Sequence, residues 1–318
     1  MKEVERHKDW RQFVFIDKTD YPPFYYWTGA VLGLSFRTYN VLFFNSAFYL
    51  VVLLVSVYGI GRELMNIETG CFSAIICSFS PFIYNSSIQF NLELATAALV
   101  SLIVCMIVLS RGFSRGFYTF LMGVALVMGG YTRQMVFIFV AGPVLMGIIK
   151  LCCNKNLDMY LKLKRLACLG IVLGISFGCL LPYYHVVRWT HPMIQKINLT
   201  GWAQGGNVFS FEHLIYYIRV IPQQIGWVYT IVFGLSLVVF LKADVSKRQI
   251  IFSWSIPSLL IFSLFLLKFP ELTIANIPAM ALIIAYAVCL IKPLFLKNGV
   301  AVLILILSMC NYFRSFPW

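Results

Sequence analysis

Charge is scarce in this 318-residue sequence. Only 12% of its residues are Asp, Glu, Lys or Arg, against roughly 25% in soluble domains, while 60% are hydrophobic. Too few polar groups remain to cover a water-exposed surface, which excludes a soluble globular domain. Acid is the scarcer sign, with 12 Asp and Glu against 25 Lys and Arg, so carboxylate chemistry is confined to a few positions. The nine cysteines show no metal-ligand spacing and no set in an outer loop where a disulfide framework is expected, which reads them as small apolar residues. Cys152 and Cys153, beside the basic loop 150–165, carry a composition-level hint of acylation. His185, His191 and His213 with Glu212 match no zinc motif, so no metal is expected. The spans show no internal repeat. The basic residues form no single patch interleaved with exposed aromatics, which argues against a nucleic-acid partner.

Apolar length is what the sequence has in abundance. Long apolar runs recur from Thr38 to Phe313 with short polar breaks between them, and such runs satisfy their backbone hydrogen bonds in lipid only as helices. The expected fold is all-α: a polytopic transmembrane bundle of about ten spans, at 38–60, 70–86, 92–110, 117–132, 134–151, 166–187, 225–241, 249–267, 274–291 and 298–313. The stretch from Pro22 to Phe36 makes a helix of roughly 22 Å, too short for a hydrocarbon core of roughly 30 Å, and is read as an interfacial helix. One domain, 1–318, is expected. It comprises an outer segment 1–37, spans 38–187, an outer loop 188–224 and spans 225–318.

The basic residues orient the bundle. Thirteen of the 25 Lys and Arg fall in the short loops on the side of Ser110 to Gly116, among them Arg62, Arg111, Lys150, Lys164, Lys247 and Lys297, which makes that side cytoplasmic. Most acids, including Glu3, Glu5, Asp17, Asp20, Glu93, Glu212 and Glu271, lie on the other side, so carboxylate chemistry belongs on the outer face.

Four outer constellations stand out. Asp17 and Asp20 precede Tyr21-Pro22-Pro23 and an aromatic cluster: a carboxylate held there is either a general base or hydrogen-bond anchor for an acceptor, or a solvated acid beside an interfacial aromatic belt. Asn91 and Glu93 open a span; the acid is either functional or complements the helix dipole. Arg133 lies in the tight turn Gly129 to Gln134, where it binds a phosphate or snorkels. Lys268 and Glu271 form either a phosphate site or a surface ion pair.

Taken in order, these elements resemble the GT-C glycosyltransferases, polytopic enzymes that include dolichyl-phosphate-mannose protein mannosyltransferases and lipid A aminoarabinose transferases. The resemblance runs from Asp20 to Arg133. Tyr21-Pro22-Pro23-Phe24-Tyr25-Tyr26 stands where the family has His-Pro-Pro-Leu-Tyr-Tyr. Arg37, Gly59 to Leu64, Gly70 and Ser80-Pro81 follow, then Phe90-Asn91-Leu92-Glu93-Leu94 and Thr132-Arg133. Farther on, Lys268 with Asn276 to Met280 is similar to the family's basic residue and Leu-Pro-Ala-like helix start.

The resemblance implies transfer of a sugar from a polyprenyl-phosphate-linked donor to a lipid, glycan or protein acceptor, without a nucleotide-sugar site or cofactor. It implies that Tyr21, Pro22 and Pro23 shape the pocket, that Asn91 and Glu93 line it, that Asp17, Asp20, Glu93 or the Glu3 and Glu5 pair supplies the carboxylate, and that Arg133 and Lys268, with Glu271 nearby, hold the carrier phosphate. Two departures matter. Tyr21 replaces a histidine that titrates near neutral pH. The family's acidic motif follows a first helix upstream of the Pro-Pro pair, so the reading frame is expected to continue beyond Met1. The rival readings are a multi-pass transporter or flippase, and a non-catalytic paralogue.

Overall fold

A computed structural model of the chain describes residues 23–36, 41–89, 91–190, 210–264 and 268–315. Among these residues there is no strand, and each of the ten apolar runs lies on helix. In chain order the elements are α1 (Phe24–Phe36), α2 (Val41–Leu64), α3 (Ile67–Ser78), α4 (Pro81–Ile88), α5 (Leu92–Leu109), α6 (Gly116–Gly130) and α7 (Val136–Cys153). They continue with α8 (Met159–Thr190), α9 (Phe211–Leu214), α10 (Tyr216–Ile225), α11 (Trp227–Phe240), α12 (Val245–Ser263), a 3-10 stretch (Pro270–Asn276), α13 (Ile277–Cys289) and α14 (Leu294–Ser315).

Among the described residues, five helices are by length and composition long and apolar enough to cross a membrane, and up to seven if each bent pair is one span. The run at 70–86 breaks into α3 and α4 with a 63° bend. Its cause is local: Ser80 precedes Pro81 and is held extended at ψ 125°, because the proline ring disfavours helical geometry in the residue before it. The run at 225–241 continues α10 through a 119° bend. Gly226 makes that turn with φ +84°, a conformation side chains with a Cβ rarely adopt. The 15-residue α6 is apolar but, at 1.5 Å per residue, only roughly 22 Å long.

Helix α5 and the segment Pro270–Cys289 form the centre, 78% and 83% buried over their most apolar windows, whereas α8 is only 17% buried over its own and leaves its apolar surface on the outside of the bundle. Cys77 and Cys105 are buried; Cys71, Cys152, Cys153 and Cys179 are exposed. Close packing around α2 and α3 depends on glycine. A Cβ at Gly61 stands 2.7 Å from the Gly70 Cα, so this crossing admits no side chain.

The bundle has two distinct ends. At the basic end Arg111 meets Glu63 at 2.7 Å, Lys297 meets Glu68 at 2.7 Å, and Lys150 Nζ donates to the Ser246 carbonyl at 3.1 Å. At the opposite end α1 is docked by the Phe24 N–H donating to the Tyr131 carbonyl at 2.9 Å and by the Thr28 and Tyr49 hydroxyls at 3.2 Å. The stretch 22–36, expected to form a short helix, is helical from Phe24 to Phe36.

Candidate active site at the acidic end

The site begins with how α5 starts. Asn91 caps the helix: its Oδ1 accepts the Glu93 N–H at 3.0 Å, satisfying one of the backbone donors left open in a first turn. Its Nδ2 lies 3.5 Å from the Ser86 hydroxyl on α4. The cap fixes the first turn of α5 and with it the direction in which Glu93 leaves the helix.

Arg133 arrives from a distant segment. After α6 the backbone makes a tight turn in which the Thr132 and Arg133 N–H groups both donate to the Gly129 carbonyl, at 3.0 and 2.8 Å. The guanidinium is thereby brought to Glu93, with Nη1 3.1 Å from Oε1. Both side chains are mostly enclosed, 14% and 17% exposed. At such burial each charge relies on the other for much of what water would supply.

The start of α1 lies over this turn. Pro23 accepts the Trp27 N–H at 2.9 Å, opening α1, and Phe24 is hydrogen-bonded to Tyr131, two residues before Arg133. Tyr131 is clamped in turn: its hydroxyl donates to the Cys179 carbonyl at 2.7 Å, and its ring packs against Trp27 and Tyr183 at centroid distances of 6.2 and 5.5 Å. Pro23, Asn91, Glu93 and Arg133, spread over more than a hundred residues of sequence, therefore share one place. Asp17, Asp20, Tyr21 and Pro22 lie outside the described residues.

Lys268 and Glu271 sit at the same end in a separate cluster. The Lys268 ammonium donates to the carbonyls of Phe262 and Ser263, at 2.9 and 2.6 Å, capping the end of α12, and lies 5.2 Å from the centre of the Tyr217 ring. The lysine turns back to α12 while the 3-10 stretch beginning at Pro270 carries Glu271 onward. Burial lowers the Lys268 pKa from 10.5 to about 8. Gln224 of α10 donates to the Pro270 carbonyl and to the Thr273 hydroxyl, fixing the outer helix to this cluster. Among the described residues no hydrogen bond or ion pair joins Lys268 or Glu271 to Arg133 or Glu93.

Sequence reasoning missed the polar floor beneath α1. Asn45 and Ser46 are buried inside α2; Ser46 Oγ donates to the Gln89 carbonyl at 2.8 Å, and both side chains lie against the Tyr25 hydroxyl of α1. A polar pair inside an apolar span was the available signal. Among the described residues no group of three His, Cys, Asp or Glu side chains is placed to hold a metal ion.

This arrangement of helices is shared with solved structures. ArnT from Cupriavidus metallidurans bound to undecaprenyl phosphate superposes with a TM-score of 0.67 at 15% identity, over 91% of this chain and 53% of that one. The archaeal oligosaccharyltransferase AglB from Archaeoglobus fulgidus, in complex with an inhibitory peptide and a dolichol-phosphate, gives 0.59 at 14% identity over 93% and 47%. The chain has the GT-C fold. It spans about half the length of these GT-C proteins. No protein-family model matches the sequence, and no curated protein does. The GT-C arrangement agrees with the all-α polytopic bundle expected from the apolar runs and makes this an integral membrane protein.

Proposed function

We propose that this chain is a membrane glycosyltransferase that moves a sugar from a polyprenyl-phosphate carrier to a lipid, glycan or protein acceptor at the end of the bundle that holds Arg133 and Glu93. The observation that carries the reading is the enclosed 3.1 Å contact between those two side chains, beside the docked start of α1. A guanidinium and a carboxylate in contact supply the two charges that the reaction needs. Arg133 holds the carrier phosphate as it leaves, because its planar fork matches phosphate oxygens. Glu93 takes the proton of the acceptor hydroxyl.

The acceptor oxygen attacks the anomeric carbon; the bond from that carbon to the phosphate oxygen breaks; the electron pair leaves with polyprenyl phosphate. One displacement from the opposite side inverts the anomeric centre. Arg133 stabilises negative charge most as the phosphate departs, so its contribution falls on the transition state. Donor phosphate competes with Glu93 for the guanidinium, which frees the carboxylate for the acceptor. Asp17 and Asp20, just before the Pro22-Pro23 pair, share or replace Glu93 in this role, and Lys268 is a second cation for the carrier. Tyr21, Pro22 and Pro23 shape the entrance.

The carrier class is supported by the ligands of the neighbours: undecaprenyl phosphate in that ArnT structure and dolichol-phosphate in that AglB structure. The charge asymmetry supports a site on the extracytoplasmic side of the cell membrane, or the lumenal side of the endoplasmic reticulum in a eukaryote. Binding tests this reading before turnover does. Purified protein titrated with a short-chain polyprenyl phosphate is expected to bind it, with Arg133→Ala weakening binding by about tenfold or more. Equal binding by the variant overturns the phosphate role of Arg133.

A further inference from the structure

At the basic end, α7 and α12 diverge. They touch at Gly142, where any Cβ would collide with the Ser253 carbonyl oxygen. That carbonyl is four residues before Pro257, which has no N–H to offer it, so the glycine lies against an acceptor released from the helix ladder. Toward the basic end the two helices open into a groove of about 300 Å³ lined by Met146, Val245, Arg248, Gln249, Phe252 and Ser253. Lys150, one turn beyond Met146 on α7, donates to the carbonyl and hydroxyl of Ser246, next to Val245 at the start of α12, each at 3.1 Å.

The groove combines an almost wholly apolar wall with a cationic rim. Arg248 donates through Nη1 to the Leu241 carbonyl at 2.8 Å, while its buried Nε has no hydrogen-bond partner among the described residues. The carboxylate of the adjoining turn, Asp244, is engaged by Lys247 at 2.8 Å and does not neutralise Arg248. Asp244 makes no side-chain cap on α12, so the positive end of that helix also faces the rim. Each feature matches one part of an anionic lipid: a phosphate at the rim and a hydrocarbon chain along the wall.

We infer that this groove is a binding site for one anionic phospholipid of the leaflet at the basic end. Its phosphate sits at Arg248 and Lys150, and the first part of one acyl chain lies against Met146 and Phe252. The volume, at the small end for ligand pockets, takes the head of a lipid and part of one chain, with the rest in the bilayer. This site is at the opposite end of the bundle from Arg133 and Glu93 and does not depend on the proposed reaction.

Native mass spectrometry of the delipidated full chain in detergent tests it, with phosphatidylglycerol and phosphatidylcholine as probes. Wild type is expected to retain one phosphatidylglycerol per chain in preference to phosphatidylcholine. Arg248→Gln should lower that retention by about fivefold, the share of one basic residue near a phosphate. Met146→Trp, which fills the groove without touching the charge, should lower it too, and Arg115→Gln, an equal charge change elsewhere on the basic end, should not. Four results overturn the site: equal retention of the two lipids, no effect of Arg248→Gln, the same loss in Arg115→Gln, or displacement of the lipid by inorganic phosphate alone. Thermal unfolding of each variant shows whether Met146→Trp still folds. Should it not, Arg248→Gln against Arg115→Gln decides.

Discussion

Arg133 donates to Glu93 at 3.1 Å across forty residues of sequence, and the two side chains hold each other in a site from which most water is excluded. Glu93→Gln and Arg133→Ala are each expected to lower stability by about 1–3 kcal/mol, between the cost of breaking exposed and fully buried pairs. The double variant should lose less than the sum of the two. A double-mutant cycle on unfolding in mixed detergent measures the coupling, and strictly additive losses would show that the contact contributes nothing.

Asn91 positions Glu93 without touching the reacting atoms. Asn91→Ala should cost about 1 kcal/mol through loss of the cap. It should lower kcat more than KM, because the carboxylate is then misdirected, whereas Asn91→Ser should restore both. Equal kinetic loss in the alanine and serine variants would instead give the Asn91 side chain a direct part in binding.

Lys268 predicts a pH signature. Burial disfavours its charged form and lowers its pKa from 10.5 to about 8. From about pH 8 to 10.5 the unfolded chain therefore binds more protons than the folded one, so this group's contribution to stability rises with pH over that window and is adverse below it. The cation itself disappears as pH rises through 8. Polyprenyl-phosphate binding should accordingly weaken above pH 8 in wild type, and Lys268→Arg, which stays charged, should abolish that decline. A pH profile unchanged by Lys268→Arg would remove Lys268 from the carrier site.

Gly142 tests the packing. Gly142→Ala forces α7 away from the Ser253 backbone and should destabilise by about 2–3 kcal/mol, as overpacking does. Gly170→Ala on α8, where an added Cβ meets nothing, should be neutral or stabilising by up to about 1 kcal/mol from helix propensity. Comparable melting temperatures for the two variants would contradict the close approach of α7 and α12.

The helical run 92–110 was legible almost to the residue, because an apolar segment bounded by Asn91 and Ser110 admits one structure in lipid, and α5 spans Leu92–Leu109. The bend within 70–86 was signalled by Ser80-Pro81 but hidden by unbroken hydropathy. The partnership of Arg133 with Glu93 was legible only as two residues on one face. Their contact depends on how the Gly129 turn meets the start of α5, which no local pattern encodes. Lys268 and Glu271 stayed open between a phosphate site and an ion pair, because spacing alone does not show where the chain turns at Pro270. The role of Tyr131, whose carbonyl docks α1 and whose hydroxyl holds α8, came entirely from tertiary packing.

Turnover in liposomes tests the central claim most directly. Purified chain is supplied with a polyprenyl-phosphate-linked sugar and a panel of lipid, glycan and peptide acceptors, and released polyprenyl phosphate is measured. The expected result is release that depends on an acceptor and falls by about 100-fold or more in Arg133→Ala and in Glu93→Gln, the scale of losing a transition-state charge contact. Release undiminished in both variants, or accumulation of substrate across the membrane with no free polyprenyl phosphate, would contradict the assignment of this pair to glycosyl transfer.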